Sequence, residues 1–467
     1  MVAKPIRILL ALWLIVVSGR SVSAQERAER ARPSTPVTSG PEQWQAAGQH
    51  GVVISGGQEA VEAGLSVLQS GGIAADAAAA TLLAQTVTDA NQYCFGGEVP
   101  IMVYSAERKT IEVLAGQGAA PRLATAEFFR QRDGGIPASG ALSATVPAAL
   151  DACLTLLERH GTRTFAQSIE PTLKILDREQ YPWHKDMART LRRLVEAETA
   201  AAGDRVRGLH LVADYFYRGP IAWEIDAWAR HAGCLLRYSD LANHVTRIDQ
   251  PITANYRGYT VYKCGAWTQG PYLLEALQLL EPFHLKSLGH NSPEVIHLTV
   301  EALKLALADR DVHLGDPLFA DIPVRELISP AYADLRRPLI DPKQASLVLR
   351  PGDPRGGKAL LPTAEPPGGR RAAVNDTSTC LVADGLGNVI AATPSGWSGV
   401  LAGNTGVWLG SRLQSFNLVE GSPNCLEPGK RPRITLTPTI VLKDGQPEIA
   451  VSVAGGDGQD QITLQLL

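Results

Sequence analysis

The sequence predicts an α/β protein in which a mostly helical part leads into a β-rich end. Three observations carry that prediction: apolar residues recur at helical spacing through much of the chain, two hairpin patterns close it, and a stretch rich in Pro, Gly and Arg stands between. The 467 residues are 45% hydrophobic and 19% charged, which excludes a disordered chain and a multi-span membrane protein. By length alone the mass would fill about two or three domains. The 44 Lys and Arg nearly cancel the 47 Asp and Glu, so a net charge of −3 gives no reason to expect nucleic acid or an anionic membrane surface as partner. Glycine at 44 and proline at 31 are high enough to imply many tight turns.

The chain begins with an address. Lys4 and Arg7 precede an apolar run from Ile8 to Val17, and Val22-Ser23-Ala24 supplies the small residues that a signal peptidase reads. That run is too short to cross the roughly 30 Å of bilayer hydrocarbon. Residues 1–24 therefore read as a secretory signal peptide and residues 25–46 as a flexible polar lead-in. The mature chain is expected to be exported, periplasmic or extracellular, with a membrane involved only if the signal segment is retained. The six cysteines (Cys94, Cys153, Cys234, Cys264, Cys380, Cys425) include no C-x-x-C pair and no nearby His partner. They read as buried small apolar residues, not as a zinc site or a dense disulfide framework.

From His50 the order is a short strand (GVVIS), a helix over Ala60–Gln69 stopped by Gly71-Gly72, and a second helix over Ile73–Thr86. The second is apolar nearly all round and so must be packed on both sides. FGGEVPIMVYS turns through glycines into a strand, and KTIEVLAG gives another. From Ser143 to Arg310 the pattern reads mainly helical, over Pro147–His160, Thr164–Glu179 and Ser292–Asp309. Residues 350–373 have no periodicity and read as an exposed, mobile loop. DTSTCLVAD and NVIAATP around GLG make one hairpin, and RITLTPTIVLK and EIAVSVAGG around Asp444-Gly445 make another.

Chemistry is suggested where the loop ends, at Asp376-Thr377-Ser378-Thr379. A threonine hydroxyl needs an adjacent base to act as a nucleophile, and an α-amino group on the same residue is one solution. Its ordinary pKa of roughly 7.7–8.0 lies near neutral pH, where a general base works best. Exposing that amine requires a cut before Thr377.

The context sharpens this reading. The stretches GLSVLQSGGIAADAAAATLLAQTVT, FGGEVPIMVY, NYRGYTVY, LGHNSPEVIHLTVEALKLALADRDVHLGDP, TSTCLVADGLGNVIA, KRPRITLTPTIVLKDG and SVAGGDGQ occur in this order. In these the chain resembles the gamma-glutamyltranspeptidase (gamma-glutamyltransferase) family of N-terminal-nucleophile (Ntn) hydrolases over nearly its whole mature length. The resemblance implies an αββα four-layer sandwich, two stacked antiparallel sheets flanked by helices. It implies self-cleavage between Asp376 and Thr377 into a large subunit (47–376) and a small one (377–467), which stay together as a heterodimer. Thr377 would then be the nucleophile on a small-molecule amide or gamma-glutamyl-type substrate. Gly455 and Gly456 match the family's oxyanion hole, and glycines at a strand-to-helix turn suit that task because no Cβ blocks their N–H groups. Ser395 falls where the family has a threonine that hydrogen-bonds the nucleophile. No metal or organic cofactor is implied, because nucleophile and base lie on one residue. The resemblance also implies a small subunit that continues past GGDGQ, so the chain is expected to stop short at Leu467.

The departures fall where the family reads the glutamyl head group. Gln117 replaces the arginine that pairs with its carboxylate, Ile434 and Thr435 replace two serines, and Ser415 replaces the acidic partner of the amine. Arg412 replaces a glutamine and Trp397 an asparagine. Since a guanidinium–carboxylate pair is charge-assisted, these losses imply retained chemistry with a changed acyl substrate. Trp397, Trp408 and Arg412 are the candidates for lining an apolar or aromatic acyl pocket, with Arg412 available for an acidic group; the alternative places Trp408 in the core and Arg412 in solvent. An uncleaved, non-catalytic binding protein is the competing functional reading. A Ser398 nucleophile elbow fails, because its last glycine is Val400 and it lies between strands.

Overall fold

The computed structural model describes residues 46–132, 134–361 and 377–467. The expected signal peptide, nearly all of the expected lead-in, Asp376 and residues 362–373 of the Pro/Gly-rich loop lie outside the described residues. Among the described residues, ten strands form two antiparallel sheets. The first contains β1 (Gly51–Ser55), β2 (Val99–Ser105), β3 (Thr110–Gly116), β4 (Arg247–Asp249), β7 (Cys380–Asp384) and β8 (Val389–Ala392), in the order β1-β7-β8-β2-β3-β4. The second contains β5 (Ile252–Tyr256), β6 (Tyr259–Lys263), β9 (Thr439–Lys443) and β10 (Gln446–Val451), in the order β10-β9-β6-β5.

Strand side chains alternate faces, and here both faces are buried. In β2, Val99, Ile101 and Val103 belong to the core shared with helices, while Met102 and Tyr104 belong to the core between the sheets. Ile390 and Ala392 of β8 face the helices, and Ala391 faces the second sheet. In the second sheet Ile440 and Leu442 point inward and Val441 meets its own helices. Two-faced burial explains why these strands read as continuous apolar runs.

The all-apolar helix, Ala74–Thr88, covers the outer face of the first sheet and is buried from Ala74 to Val87. Its alanines let the neighbouring helix Gln58–Gln69 come close enough that a Cβ on Gly64 would overlap Thr81 Oγ1. Asp76 closes its first turn, accepting from the amides of Ile73, Thr162 and Arg163 and from the Thr162 hydroxyl. Four donors satisfy a carboxylate that is fully buried. On the other side the helix Gly270–Leu280 covers the second sheet, and the helix Pro293–His313 packs against that helix from outside. The architecture is therefore the helix–sheet–sheet–helix arrangement that the resemblance implies.

One expectation is filled in and another corrected. The stretch from Ser143 to Arg310 is mainly helical, as expected, but it also holds β4, β5 and β6, with Arg257 and Gly258 turning the β5–β6 hairpin at φ 51° and 86°. The loop from Arg350 is not exposed at its start. The Gly352 N–H donates to the fully buried Asp309 carboxylate at 2.7 Å, and Pro351 and Gly352 are buried. A buried carboxylate demands donors, and this stretch of backbone supplies one. All six cysteines are buried, and none is joined in a disulfide.

Candidate active site

The β7–β8 hairpin builds the site through its register. Cys380 pairs with Ala392, and the same register carried three residues further sets Thr377 opposite Ser395 as an isolated antiparallel bridge. On the other flank β2 pairs Ile101 with Ala392, and the same continuation sets Glu98 opposite Ser395. Glu98 and Ser395 exchange both backbone hydrogen bonds, at 3.0 and 2.9 Å. Three polar residues thus stand in one row across three strands, on the face that the alternation turns toward the second sheet.

Thr377 Oγ1 lies 3.3 Å from Ser395 Oγ, and the Thr377 N–H donates to Gln92 Oε1 at 3.3 Å. Ser395 is fully buried and its oxygen accepts from Arg412 Nη2 at 2.6 Å. Arg412 Nε in turn donates to Glu98 Oε1 at 2.5 Å. The Arg412–Glu98 ion pair is nearly buried, with side chains 6% and 1% exposed, so Arg412 is not the solvated residue of the alternative reading. Gly396, at φ +105°, presses against the Glu98 carboxylate, where a Cβ would come within 2.8 Å of Oε2.

The next residue faces the helices, and its contacts fix the strand. Ser378 Oγ donates to Asp89 Oδ2 at 2.9 Å and accepts from Gln85 Nε2 at 3.0 Å, while Gln85 also donates to the Thr379 carbonyl at 2.8 Å. Burial holds the Asp89 carboxyl above its ordinary pKa, opposed by hydrogen bonds from Ser378 and Gln85. The helix Ala74–Thr88 thus anchors the strand beside Thr377.

The second sheet contributes the glycine turn. Ser452, just after β10, has its hydroxyl 2.9 Å from Thr393 Oγ1 and donates to the Ala392 carbonyl at 2.8 Å, joining the two sheets beside the row. Gly455 and Gly456 follow with φ of 122° and 57° and open space where a Cβ would stand. Their N–H groups have no hydrogen-bond acceptor among the described residues. Asp457 is held by Arg310 Nη1 at 2.6 Å, and the same nitrogen donates to Gln269 Oε1 at 2.8 Å. Behind the turn, the helix Gly458–Leu466 places Asp460 against Lys263 at 2.8 Å, both fully buried. Burial raises the Asp460 carboxyl to about 6 despite Lys263.

The other expected residues are more scattered. Trp397 and Trp408 sit with ring centroids 5.9 Å apart, and Trp183 lies 6.1 Å from Trp408, so the tryptophans form an aromatic group just beyond Ser395. The Gln117 side chain donates to the Pro432 carbonyl at 2.5 Å and lines a cavity of about 250 Å³ with Asp240, His244 and Arg247. The Ser415 carbonyl accepts from Asn424. Ile434 is fully buried in the core between the sheets, and the Thr435 carbonyl faces the Gln459 amide at 3.0 Å. Sequence reasoning did not single out Gln92, Glu98, Gln85 or Asp89. Glu98 had a signal, an acidic residue directly after a double glycine and directly before an apolar strand. Among the described residues no group of three or more His, Cys, Asp and Glu is placed to hold a metal ion, and no helix is long and apolar enough to cross a membrane.

Comparison with known proteins identifies the family. The family model described as gamma-glutamyltranspeptidase matches residues 60–202 and 181–467. The glutathione hydrolase-like YwrD proenzyme of Bacillus subtilis is 30% identical over 440 residues, spanning 88% of this chain and 79% of the relative. The acylase ACY 1 proenzyme of a Pseudomonas species is 31% identical over 457 residues, spanning 88% and 77%. The crystal structure of cephalosporin acylase from Bacillus halodurans superposes with a TM-score of 0.74 at 27% identity, covering 92% of this chain and 82% of that one.

Proposed function

The chain belongs to the gamma-glutamyltranspeptidase family of hydrolases and transferases, and from that premise we propose that it is a self-processing amidohydrolase or acyltransferase with Thr377 as nucleophile. The carrying observation is the environment of Thr377, whose oxygen meets the Ser395 hydroxyl and whose nitrogen meets Gln92. Cleavage after Asp376 would turn that nitrogen into a free amine, leaving residues 47–376 and 377–467 as the two subunits. Gln92 Oε1 then accepts one amine hydrogen, which orients the lone pair toward Oγ1. As Oγ1 bonds to the substrate carbonyl carbon, its proton passes to the amine and the carbonyl electron pair moves onto oxygen. The N–H groups of Gly455 and Gly456 stabilise that oxyanion. Collapse breaks the amide C–N bond, the leaving nitrogen takes the proton from the amine, and water or an acceptor amine resolves the acyl-enzyme.

The acyl group differs from glutamyl. Gln117, Ser415, Ile434 and Thr435 offer no charge for an amino-acid head group, and the one charged replacement, Arg412, is engaged with Glu98 and Ser395. The group of Trp397 and Trp408 favours an apolar or aromatic acyl chain. The name of one relative, a cephalosporin acylase, accords with such substrates. Export to the periplasm or the exterior is part of the same proposal, resting on residues 1–24.

A covalent label tests the nucleophile. p-Nitrophenyl phenylacetate, quenched in acid, is expected to leave a phenylacetyl group on the fragment that begins at Thr377. A label on another residue, or none on processed wild type, overturns the proposal.

A further inference from the structure

We infer that Arg412 is a positioning residue that works through Ser395 to make the Thr377 oxygen a better nucleophile; the inference rests on the Thr377 reading above. A guanidinium has only donors. With Nη2 at 2.6 Å from Ser395 Oγ, it places positive charge directly against that oxygen. This polarises the Ser395 O–H, and a hydroxyl so polarised is a stronger donor. As Thr377 Oγ1, 3.3 Å away, gives its proton to the amine and bonds to the carbonyl carbon, it carries negative charge in passing, and the Ser395 O–H donates to it then. Neither Ser395 nor Arg412 gains or loses a proton over the step.

The rest of the row is arranged for this task. Glu98 Oε1 takes Arg412 Nε at 2.5 Å, which fixes the plane of the guanidinium and offsets the cost of burying its charge. Glu98 is itself held opposite Ser395 by two backbone hydrogen bonds, so both acceptors of Arg412 are placed by the register of the same two strands. The result is a chain of contacts, Glu98 to Arg412 to Ser395 to Thr377, with its positive end toward the nucleophile. An exposed arginine would lose most of such an effect to solvent, whereas this one is 5% exposed.

Removing Arg412 alone would strand a buried carboxylate, so the test changes both partners. The full chain is made as wild type, E98Q/R412Q, R412K, S395A, the triple variant E98Q/R412Q/S395A and T377A. Each is followed for self-cleavage, then for kcat and KM on p-nitrophenyl phenylacetate per processed chain. E98Q/R412Q is expected to lower kcat by about 10- to 100-fold, the weight of one charge-assisted hydrogen bond, with KM within about twofold. S395A should fall by a similar factor, and the triple variant no further than S395A, because Arg412 acts through Ser395. R412K keeps a cation beside Ser395 and should run clearly faster than S395A, which keeps the test decisive should the double variant fold poorly. Overturning results are an E98Q/R412Q kcat within twofold of wild type, losses that multiply in the triple variant, or R412K as slow as S395A. A T377A chain that still cuts itself and turns over the ester sinks the nucleophile reading and the relay with it. A dead T377A beside an unimpaired E98Q/R412Q sinks the relay alone.

Discussion

Thr377 and Ser395 face each other across an antiparallel bridge with their hydroxyl oxygens 3.3 Å apart. That contact is a consequence of hairpin register. The turn between Asp384 and Val389 is locked by Asp384, whose carboxylate accepts from the Leu386 and Asn388 amides and, on its other oxygen, from the amide of Ala74 at the start of the buried helix. A one-residue slip would send Thr377 to the helix side and Ser378 to the inner side. The position of Thr377 is thus set by packing well away from it.

Ser395→Thr keeps a hydroxyl and is expected to retain most activity, whereas Ser395→Val, similar in volume, is expected to lose about 10- to 100-fold in the rate of self-cleavage. The half-time of precursor loss on a denaturing gel checks this. A Val variant that matures as fast as the Thr variant would remove Ser395 from the chemistry.

Gly455 adopts φ +122°, a backbone conformation that an L-residue rarely holds, although space for a Cβ is open. Gly455→Ala is therefore expected to rotate the turn and misdirect its N–H groups, lowering kcat by about 100-fold or more. Thermal unfolding should shift by only a few degrees, because nothing packs on the site of the new methyl. Unchanged kcat with unchanged stability would contradict the oxyanion assignment.

Asp460 sets a pH dependence. Its carboxyl, raised by burial from 3.8 to about 6, holds a proton in the folded chain that the unfolded chain has already released between those values. Stability from this group is therefore present below the lower value and is lost as pH rises through about 6. Asp460→Asn cannot titrate, and it leaves Lys263 buried without its carboxylate, so the variant should be less stable throughout. The gap in melting temperature between wild type and variant should narrow as the pH is raised from 5 to 7.5, read by a series of melts. A gap that widens over that range would show that the carboxylate is instead stabilised by Lys263 enough to pull its pKa down.

Substrate preference follows from the uncharged head-group positions. Phenylacetyl-p-nitroanilide is expected to be hydrolysed with a kcat/KM at least about tenfold above that of gamma-glutamyl-p-nitroanilide, the least that one lost charge-assisted pair implies. Initial rates of nitroaniline release decide it. A clear preference for the glutamyl compound would contradict the changed-substrate reading.

The sequence showed most of the fold that matters for the site. Both late hairpins stand where alternation and turn residues placed them, and Asp444 and Gly445 take the paired positive φ values, 51° and 78°, of a tight hairpin turn. The β5–β6 hairpin was missed because its turn is Arg257-Gly258, without the Asn or Asp that usually marks positive φ. The start of the long loop misled for a different reason: Pro and Gly mark irregular backbone, but only the fold shows that Asp309 lies buried beneath it and needs the Gly352 N–H. At the site, Ser395 was legible through resemblance. Glu98 and Arg412 are 314 residues apart in sequence, and a contact of that kind exists only once strand register brings the two together.

Self-cleavage at Thr377 is the central claim, and intact-mass measurement with N-terminal sequencing of the purified full-length chain tests it most directly. Wild type is expected to yield two fragments, the smaller beginning Thr377-Ser378-Thr379-Cys380, while Thr377→Ala remains whole. A single uncut wild-type chain, or a cut that persists in Thr377→Ala, would contradict the account.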